Sequence, residues 1–422
     1  MDTQKDSAIN LFVQKSGGRV AALLEACTRC GMCAEACHYY QATGVPEYAP
    51  VWKVELLRRT YEQRFTLAGR AKVALGIEKT ITNEDIEEWQ KYDYAACSLC
   101  GKCTFVCPMG IDLASLIKIV RGGLTSAGVL PEGLHKKCVN QEEKGSPNGF
   151  TEKEWADWFH SLEEEGIEIP IDKKGADSLV VFTVLEITAF RENLRHMARI
   201  MNAAGENWTV SLKGRDAFNM GAVTSNGKLM KTLADRIVNT AKELGVKRII
   251  VTECGHGFTT LRDGYPNAIG QKLPFEIEHI TEVMAQFFRE GRIKLQEGYW
   301  DNGRNFTFHD SCRIQRTGGI MDEPREIIHH LIPTKYQEMA HNRENSICCG
   351  GGGGMRGFDE GYDNRMAAFT IKIDEIKGAG ADTVITTCTN CRLQFLEGFK
   401  HHNQTTEVTG LVRLVSEALV EA

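Results

Sequence analysis

Cys27, Cys30, Cys33 and Cys37 stand in the spacing C-x-x-C-x-x-C-x-x-x-C, and Cys97, Cys100, Cys103 and Cys107 repeat it, followed by Pro108. A tight loop with a thiolate at every third residue can wrap three corners of one metal centre, while the fourth cysteine starts a helix that leads away. The chain has 15 cysteines. A secreted scaffold would use them for disulfides, but the polar N-terminus carries no secretory signal and most of the cysteines fall in C-x-x-C spacings, so metal ligation is the expected use. A pair of zinc sites is the alternative, although structural zinc pairs two separated C-x-x-C units and does not use a continuous four-cysteine run.

A third group lies downstream. Cys312 sits in His-Asp-Ser-Cys, Cys348 and Cys349 lead directly into five glycines from Gly350 to Gly354, and Cys388 and Cys391 form a further C-x-x-C. These five thiols fall at junctions between apolar, strand-like runs and helical segments, which an α/β fold gathers at the carboxyl edge of its sheet. The glycines do not read as a phosphate loop, because no Lys-Ser or Lys-Thr follows them.

The net charge of -6 is mild and no basic patch is evident, which argues against nucleic acid or an anionic membrane surface. No apolar run approaches the ~20 residues of a membrane span. The expectation is a cytoplasmic chain, peripheral on the cytoplasmic membrane face only through partners.

The two N-terminal runs resemble those with which bacterial ferredoxins hold four-iron clusters. That resemblance implies crosswise ligation: Cys27, Cys30, Cys33 and Cys107 on one cubane [4Fe-4S] cluster, and Cys97, Cys100, Cys103 and Cys37 on the other. His38 departs from the pattern by standing where proline usually follows. The order C, then CC-G, then C-x-x-C, with gaps of about thirty to forty residues, resembles the CCG domain of heterodisulfide reductases. It implies a non-cubane [4Fe-4S] cluster on Cys312, Cys348, Cys349, Cys388 and Cys391, with Gly350 and Gly351 allowing close backbone approach to it. Over roughly residues 20 to 400 the chain is similar to D-type subunits of that group. Similar arrangements occur in the K subunit of the sulfite-reduction membrane complex and in benzoyl-coenzyme A reductase complexes.

The implied fold class is α followed by α/β. An α-helical two-cluster ferredoxin domain occupies residues 1–124 and a connector 125–175. A duplicated α/β domain with a mainly parallel sheet follows, with a degenerate half at 176–300 and a complete half at 301–422. Val54, Leu57, Tyr61 and Phe65 mark one helical face, Asn83 opens a capped helix, and Asp112 caps another carrying Leu113, Leu116, Ile117 and Val120. Trp52, Trp89 and Met32 read as packing residues. Thr151 and Glu154 form a capping box before Trp155, Trp158 and Phe159. Strands are expected at 179–184, 248–252, 306–309 and 383–387.

Gly245–Cys254 and Gly380–Cys388 are internally similar, which sets Cys254 opposite Cys388. The first half has lost the other ligands, and Cys254 with His256 is too thin a constellation for a metal site. Cys138 reads as a buried structural thiol. His309 and Asp310 either orient Cys312 or donate protons to a leaving thiolate.

Two functions follow. In one the chain is an iron-sulfur oxidoreductase subunit whose five-cysteine site acts on a thiol or disulfide, such as a small protein substrate. In the other it is purely an electron-transferring module in a larger, electron-bifurcating or benzoyl-coenzyme A reductase-type complex. Flavin, haem or quinone-reactive subunits would be its redox partners in either case.

Overall fold

The two four-cysteine loops follow the same backbone path residue by residue. In a computed structural model that describes residues 4–420, Arg29 and Leu99 both take φ 54°, and Gly31 and Gly101 take 87° and 75°. Each loop then enters one helical turn, Met32–Glu35 or Lys102–Phe105. Left-handed backbone costs an L-residue roughly 1–2 kcal/mol. Two unrelated side chains accept that cost at equivalent positions, so the thiol spacing dictates the loop.

Around the loops pack α1 (Gln4–Lys15), α2 (Glu55–Phe65), α3 (Asn83–Tyr94) and α4 (Leu113–Ser126). α4 is central and contacts the other three. Asp112 caps it by accepting from Ser115 N at 3.1 Å. Leu113, Leu116, Ile117, Val120 and Leu124 are buried on it, each burial contributing about 1.5–3 kcal/mol. Gly123 lets α1 lie against α4, because a Cβ there would sit 2.2 Å from the Phe12 ring. The cap of α3 is Thr82, one residue before the expected Asn83, and it forms a full capping box with Asp85. Val54, Leu57 and Tyr61 are buried as expected, whereas Phe65, Trp52 and Met32 are exposed. Trp52 still stacks on the buried Trp89, with ring centroids 6.0 Å apart.

By contact density the chain forms two units. One runs to His135 and takes in Val223–Asn226 and Gly350–Ile371; the other holds Lys136–Ala222, Gly227–Cys349 and the chain from Lys372 onward. The chain thus passes from the second unit to the first between Cys349 and Gly350.

The second unit is built twice. β1 (Ser178–Val181), β2 (Trp208–Thr209), β3 (Arg248–Val251) and β4 (Glu276–His279) form a parallel sheet in the order β2-β1-β3-β4. β5 (Phe306–His309), β6 (Thr383–Thr386) and β7 (Glu407–Gly410) form a second parallel sheet in the order β5-β6-β7. A parallel bridge from Phe306 to Tyr336 stands where β2 stands in the first sheet. The registers match as well: Val181, Val251 and His279 line up in one sheet, and His309, Thr386 and Gly410 in the other. One apolar core joins the two, with Val180, Phe182 and Ile250 from the first sheet and Phe306, Phe308 and Ile385 from the second. The helix after β1 (Asn193–Ala203) packs on the helix after β7 (Leu411–Glu417), and the helix after β4 (Ile280–Arg289) packs on the one after β5 (Glu323–Leu331). Elements of one half therefore pair with the complementary elements of the other.

The Thr151–Glu154 capping box is present, with Trp155, Trp158 and Phe159 buried behind it. Cys138 is buried. No helix among the described residues is long and apolar enough to cross a membrane.

Candidate metal centres

In the second unit β5 ends at His309, and the turn that follows carries Cys312. β6 is followed by Cys388, the N-cap of Thr389–His401, so Cys391 lies in the first turn of that helix. Parallel pairing of β5 with β6 brings these two carboxyl ends side by side. Cys348 and Cys349 arrive on the loop after Ser346. The Sγ atoms of Cys348 and Cys312 are 3.9 Å apart, and those of Cys349 and Cys391 are 3.2 Å apart. A His309 ring nitrogen and the thiols of Cys349 and Cys391 all lie within 4.8 Å of one another, buried. Cys388 takes a hydrogen bond from Cys391 and backbone N–H bonds from Cys391 and Gly255, and its pKa falls. Hydrogen bonding with Cys348 and Cys391 holds the Cys349 pKa well below the ordinary thiol value.

His309 and Asp310 separate in role. Burial pushes the His309 imidazole pKa down, which favours the neutral ring beside Cys349. The Asp310 carboxylate is fully committed. It accepts from both terminal nitrogens of the Arg325 guanidinium at 2.9 and 2.8 Å and from Arg343 N at 2.8 Å. It anchors the turn before Cys312.

Cys254 is the N-cap of Gly255–Thr259, with φ -137° and ψ 98°; Cys388 takes -138° and 117°. The internal similarity is thus a conformational one. Burial raises the Cys254 thiol pKa, and repulsion from Cys388 raises it further. The Cys254 sulfur accepts from Gly257 N, while His256 Nε2 lies 3.0 Å from the Asn219 carbonyl.

In the first unit, Cys37 joins the second run. A small cavity is lined by Cys37, Cys97, Cys100 and Cys103 together with Lys53 and Lys102. Burial raises the Cys103 thiol pKa, and Cys100, Cys97 and Cys37 raise it further. The first run is more open: Cys30 is exposed, and Cys27, Cys33 and Cys107 are half-buried. Cys27 and Cys30 are near enough to Cys33 to push its thiol pKa up, after burial itself.

The glycine run belongs to this unit. Tyr39 Oη donates to the Gly350 carbonyl at 2.6 Å. A Cβ on Gly352 would lie 2.9 Å from Ser98 O, and one on Gly353 would lie 2.8 Å from Cys97 O. Arg121, fully buried, donates to Cys97 O at 2.7 Å and to Gly353 O at 2.7 Å. The glycines therefore give close backbone approach, as expected, but to the loop of the second four-cysteine run. Lys53 and Arg121 are the residues that sequence reading passed over. A basic side chain inside a helical pattern normally snorkels to solvent, so neither carries a local signal.

The donor sets suit iron-sulfur centres. Thiols dominate every group, four of the five downstream thiols are buried, as are Cys97 and Cys103, and the cavity beside Cys97 is lined by four cysteines. At the five-thiol site both His309 nitrogens and Thr387 Oγ1 are buried without an oxygen or nitrogen partner, as groups facing sulfur would be.

Comparison with known proteins agrees. Residues 23–111 match the family described as a 4Fe-4S dicluster domain, and residues 306–396 match the cysteine-rich domain family, CCG. The chain is 27% identical over 409 residues to the D-type subunit of a dihydromethanophenazine:CoB--CoM heterodisulfide reductase from Methanosarcina acetivorans, covering 94% of each. It is 27% identical to an Hdr-like menaquinol oxidoreductase iron-sulfur subunit 2 from Archaeoglobus fulgidus, covering 94% of this chain and 80% of that one. An EtfAB:quinone oxidoreductase from Syntrophomonas wolfei is 26% identical over 89% of this chain and 55% of its own length. With matches to both iron-sulfur domain families and a nearly full-length alignment, this chain is similar to the heterodisulfide reductase D-type iron-sulfur subunits.

Proposed function

We propose that this chain is the iron-sulfur electron-transfer subunit of a heterodisulfide reductase-like oxidoreductase. In this reading Cys27, Cys30, Cys33 and Cys107 hold one cubane [4Fe-4S] cluster, and Cys97, Cys100, Cys103 and Cys37 hold the other. Cys312, Cys348, Cys349, Cys388 and Cys391 hold a non-cubane [4Fe-4S] cluster. Such centres, when bound, supply one-electron redox steps and, at the five-thiol site, chemistry on a thiol or disulfide. The observation that carries the reading is the convergence of thiols from three separate loops at the ends of β5 and β6.

The protein's own groups have distinct tasks here. Asp310 and Arg325 brace the turn of Cys312. His309, buried, presents a neutral ring to Cys349 and Cys391. The reading divides the chain into a ferredoxin domain at 1–124, a connector at 125–175, a degenerate half at 176–300 and a complete half at 301–422. Its partners are flavin-, haem- or quinone-reactive redox subunits, which would hold it in the cytoplasm or at the cytoplasmic face of the membrane.

A specific observation favours the alternative, an electron-transferring module without substrate chemistry. The first half offers only Cys254 where the second offers Cys388 and Cys391, so a cleaved disulfide would find a thiol-binding centre on one side only.

The test is iron and acid-labile sulfide on anaerobically purified protein, expected at about 12 each per chain from three four-iron clusters. Electron paramagnetic resonance of the oxidised protein is then recorded with and without small thiols and dithiols. A thiol-dependent change of signal supports substrate chemistry; a signal indifferent to every thiol leaves the electron-transfer module. About 8 iron with one zinc would overturn the five-cysteine cluster.

A further inference from the structure

The two four-cysteine loops share a backbone but not an electrostatic setting. At the first, Met32 lies between Gly31 and Cys33 and is exposed; at the second, Lys102 takes that place and is 8% exposed. Lys53 adds a second cation on the same side. It is 1% exposed, lines the cavity with Cys37, Cys97, Cys100 and Cys103, and donates to Ala96 O at 2.6 Å. That single bond to a carbonyl does not need an ammonium, since an amide would make it without the several kcal/mol that burying a charge costs. Asp93, the nearby carboxylate, is fully buried, and neither of its side-chain oxygens has a hydrogen-bond partner. Lys53 is therefore not held in an ordinary ion pair; its ammonium lies 5.9 Å from the centroid of the Tyr39 ring, and the residue lines the cavity together with the four cysteines.

We propose that Lys53 is a positioning cation that sets the reduction potential of the centre held by Cys97, Cys100, Cys103 and Cys37 above that of the centre at the first run. The inference rests on the cluster reading given above. A fixed positive charge in a water-poor site favours the state with the extra electron, and it acts strongly there because little solvent screens it. The exposed first run has solvent to screen it, and Met32 in place of a second cation. The two centres are thus made unequal, and the one that the Gly350–Gly354 segment abuts is the easier to reduce.

The experiment uses the full chain, purified anaerobically, as wild type, Lys53→Met and Lys53→Arg. Iron and sulfide are counted, and a potentiometric titration is followed by electron paramagnetic resonance. The expected result is full iron content in all three. In Lys53→Met one cubane midpoint falls and the other stays, and Lys53→Arg restores the wild-type value. Unchanged midpoints at full iron content would overturn the role of Lys53 while leaving the cluster reading intact; absence of cubane signals in the wild type would instead overturn the cluster reading. Should Lys53→Met lose iron, Lys53→Gln, which keeps a donor for Ala96 O, is titrated in its place. A lowered midpoint there supports the proposal, and an unmoved midpoint or further loss of iron makes Lys53 structural and overturns it.

Discussion

Glu186 shows how closely a single buried group is tuned in the second unit. Its carboxylate accepts from Thr183 N at 2.8 Å, Thr252 Oγ1 at 2.6 Å and Asn193 Nδ2 at 3.2 Å, yet burial outweighs these bonds and pushes its pKa up to about 7. An unfolded glutamate titrates near about 4.3, so between these values the folded state binds more protons. The stability that Glu186 contributes is full below the unfolded value and is lost as pH rises through about 7. Unfolding of the intact protein, followed through the buried Trp155 and Trp158, should therefore show declining stability from about pH 5 to 8. Glu186→Gln should flatten that decline; an identical pH slope in the variant would refute the assignment. Gly353 offers a second case. At φ +63° with a Cβ 2.8 Å from Cys97 O, Gly353→Ala should cost about 1–3 kcal/mol in backbone strain and displace the Cys97 loop, lowering iron from about 12 toward 8 per chain. Gly352→Ala, with no positive φ and one close carbonyl, should lose less.

Among the elements, α4 carries the most consequential side chain. Arg121 donates to Asp93 O twice, to Cys97 O, to Gly353 O and to Val223 O, and its guanidinium lies over the Tyr94 ring at 4.4 Å. Arg121→Met should leave those carbonyls without donors and cost about 2–4 kcal/mol. It should show as earlier thermal loss of the visible cluster absorbance. Which elements the sequence reveals follows from how local their causes are. The Thr151–Glu154 capping box, the apolar face of α4 and the C-x-x-C loops are specified within a few residues and were legible, whereas the Thr82–Asp85, Thr183–Glu186 and His279–Glu282 boxes were not read. β2, β4 and β7 were not. β2 is two residues long, and β4 reads Glu-Ile-Glu-His with a polar residue at every other place; only pairing with β1 and β3 makes them strands. Trp52 and Met32, read as packing residues, are exposed, although Trp52 still stacks on Trp89, because hydrophobicity alone does not tell which side of a short helical turn faces solvent. The five-thiol group was legible because its spacing is chemical, whereas Lys53 and Arg121 acquire meaning only when distant segments meet.

At the scale of the whole chain, the duplication of the second unit decides where a metal can sit. Both halves place a cysteine after their central strand, at the N-cap of the next helix and in nearly the same conformation. Only in the second half do Cys391, Cys312, Cys348 and Cys349 gather nearby; the first half offers Gly257 at the place of Cys391, and its N–H points back to the Cys254 sulfur. In the proposed assignment Cys254, despite its equivalent position, is not a ligand. The pair makes a controlled comparison, since Cys254→Ser and Cys388→Ser are the same chemical change at equivalent sites. On the proposed cluster assignment, Cys388→Ser should reduce iron from about 12 to about 8 per chain and spare the two cubane signals, because the cysteines assigned to them belong to the first unit. Cys254→Ser should retain about 12 iron, with a small stability cost of about 1 kcal/mol for a buried hydroxyl in place of sulfur. If Cys254→Ser instead lost four iron, the first half would supply a ligand, and the five-cysteine assignment would give way to a centre shared by both halves.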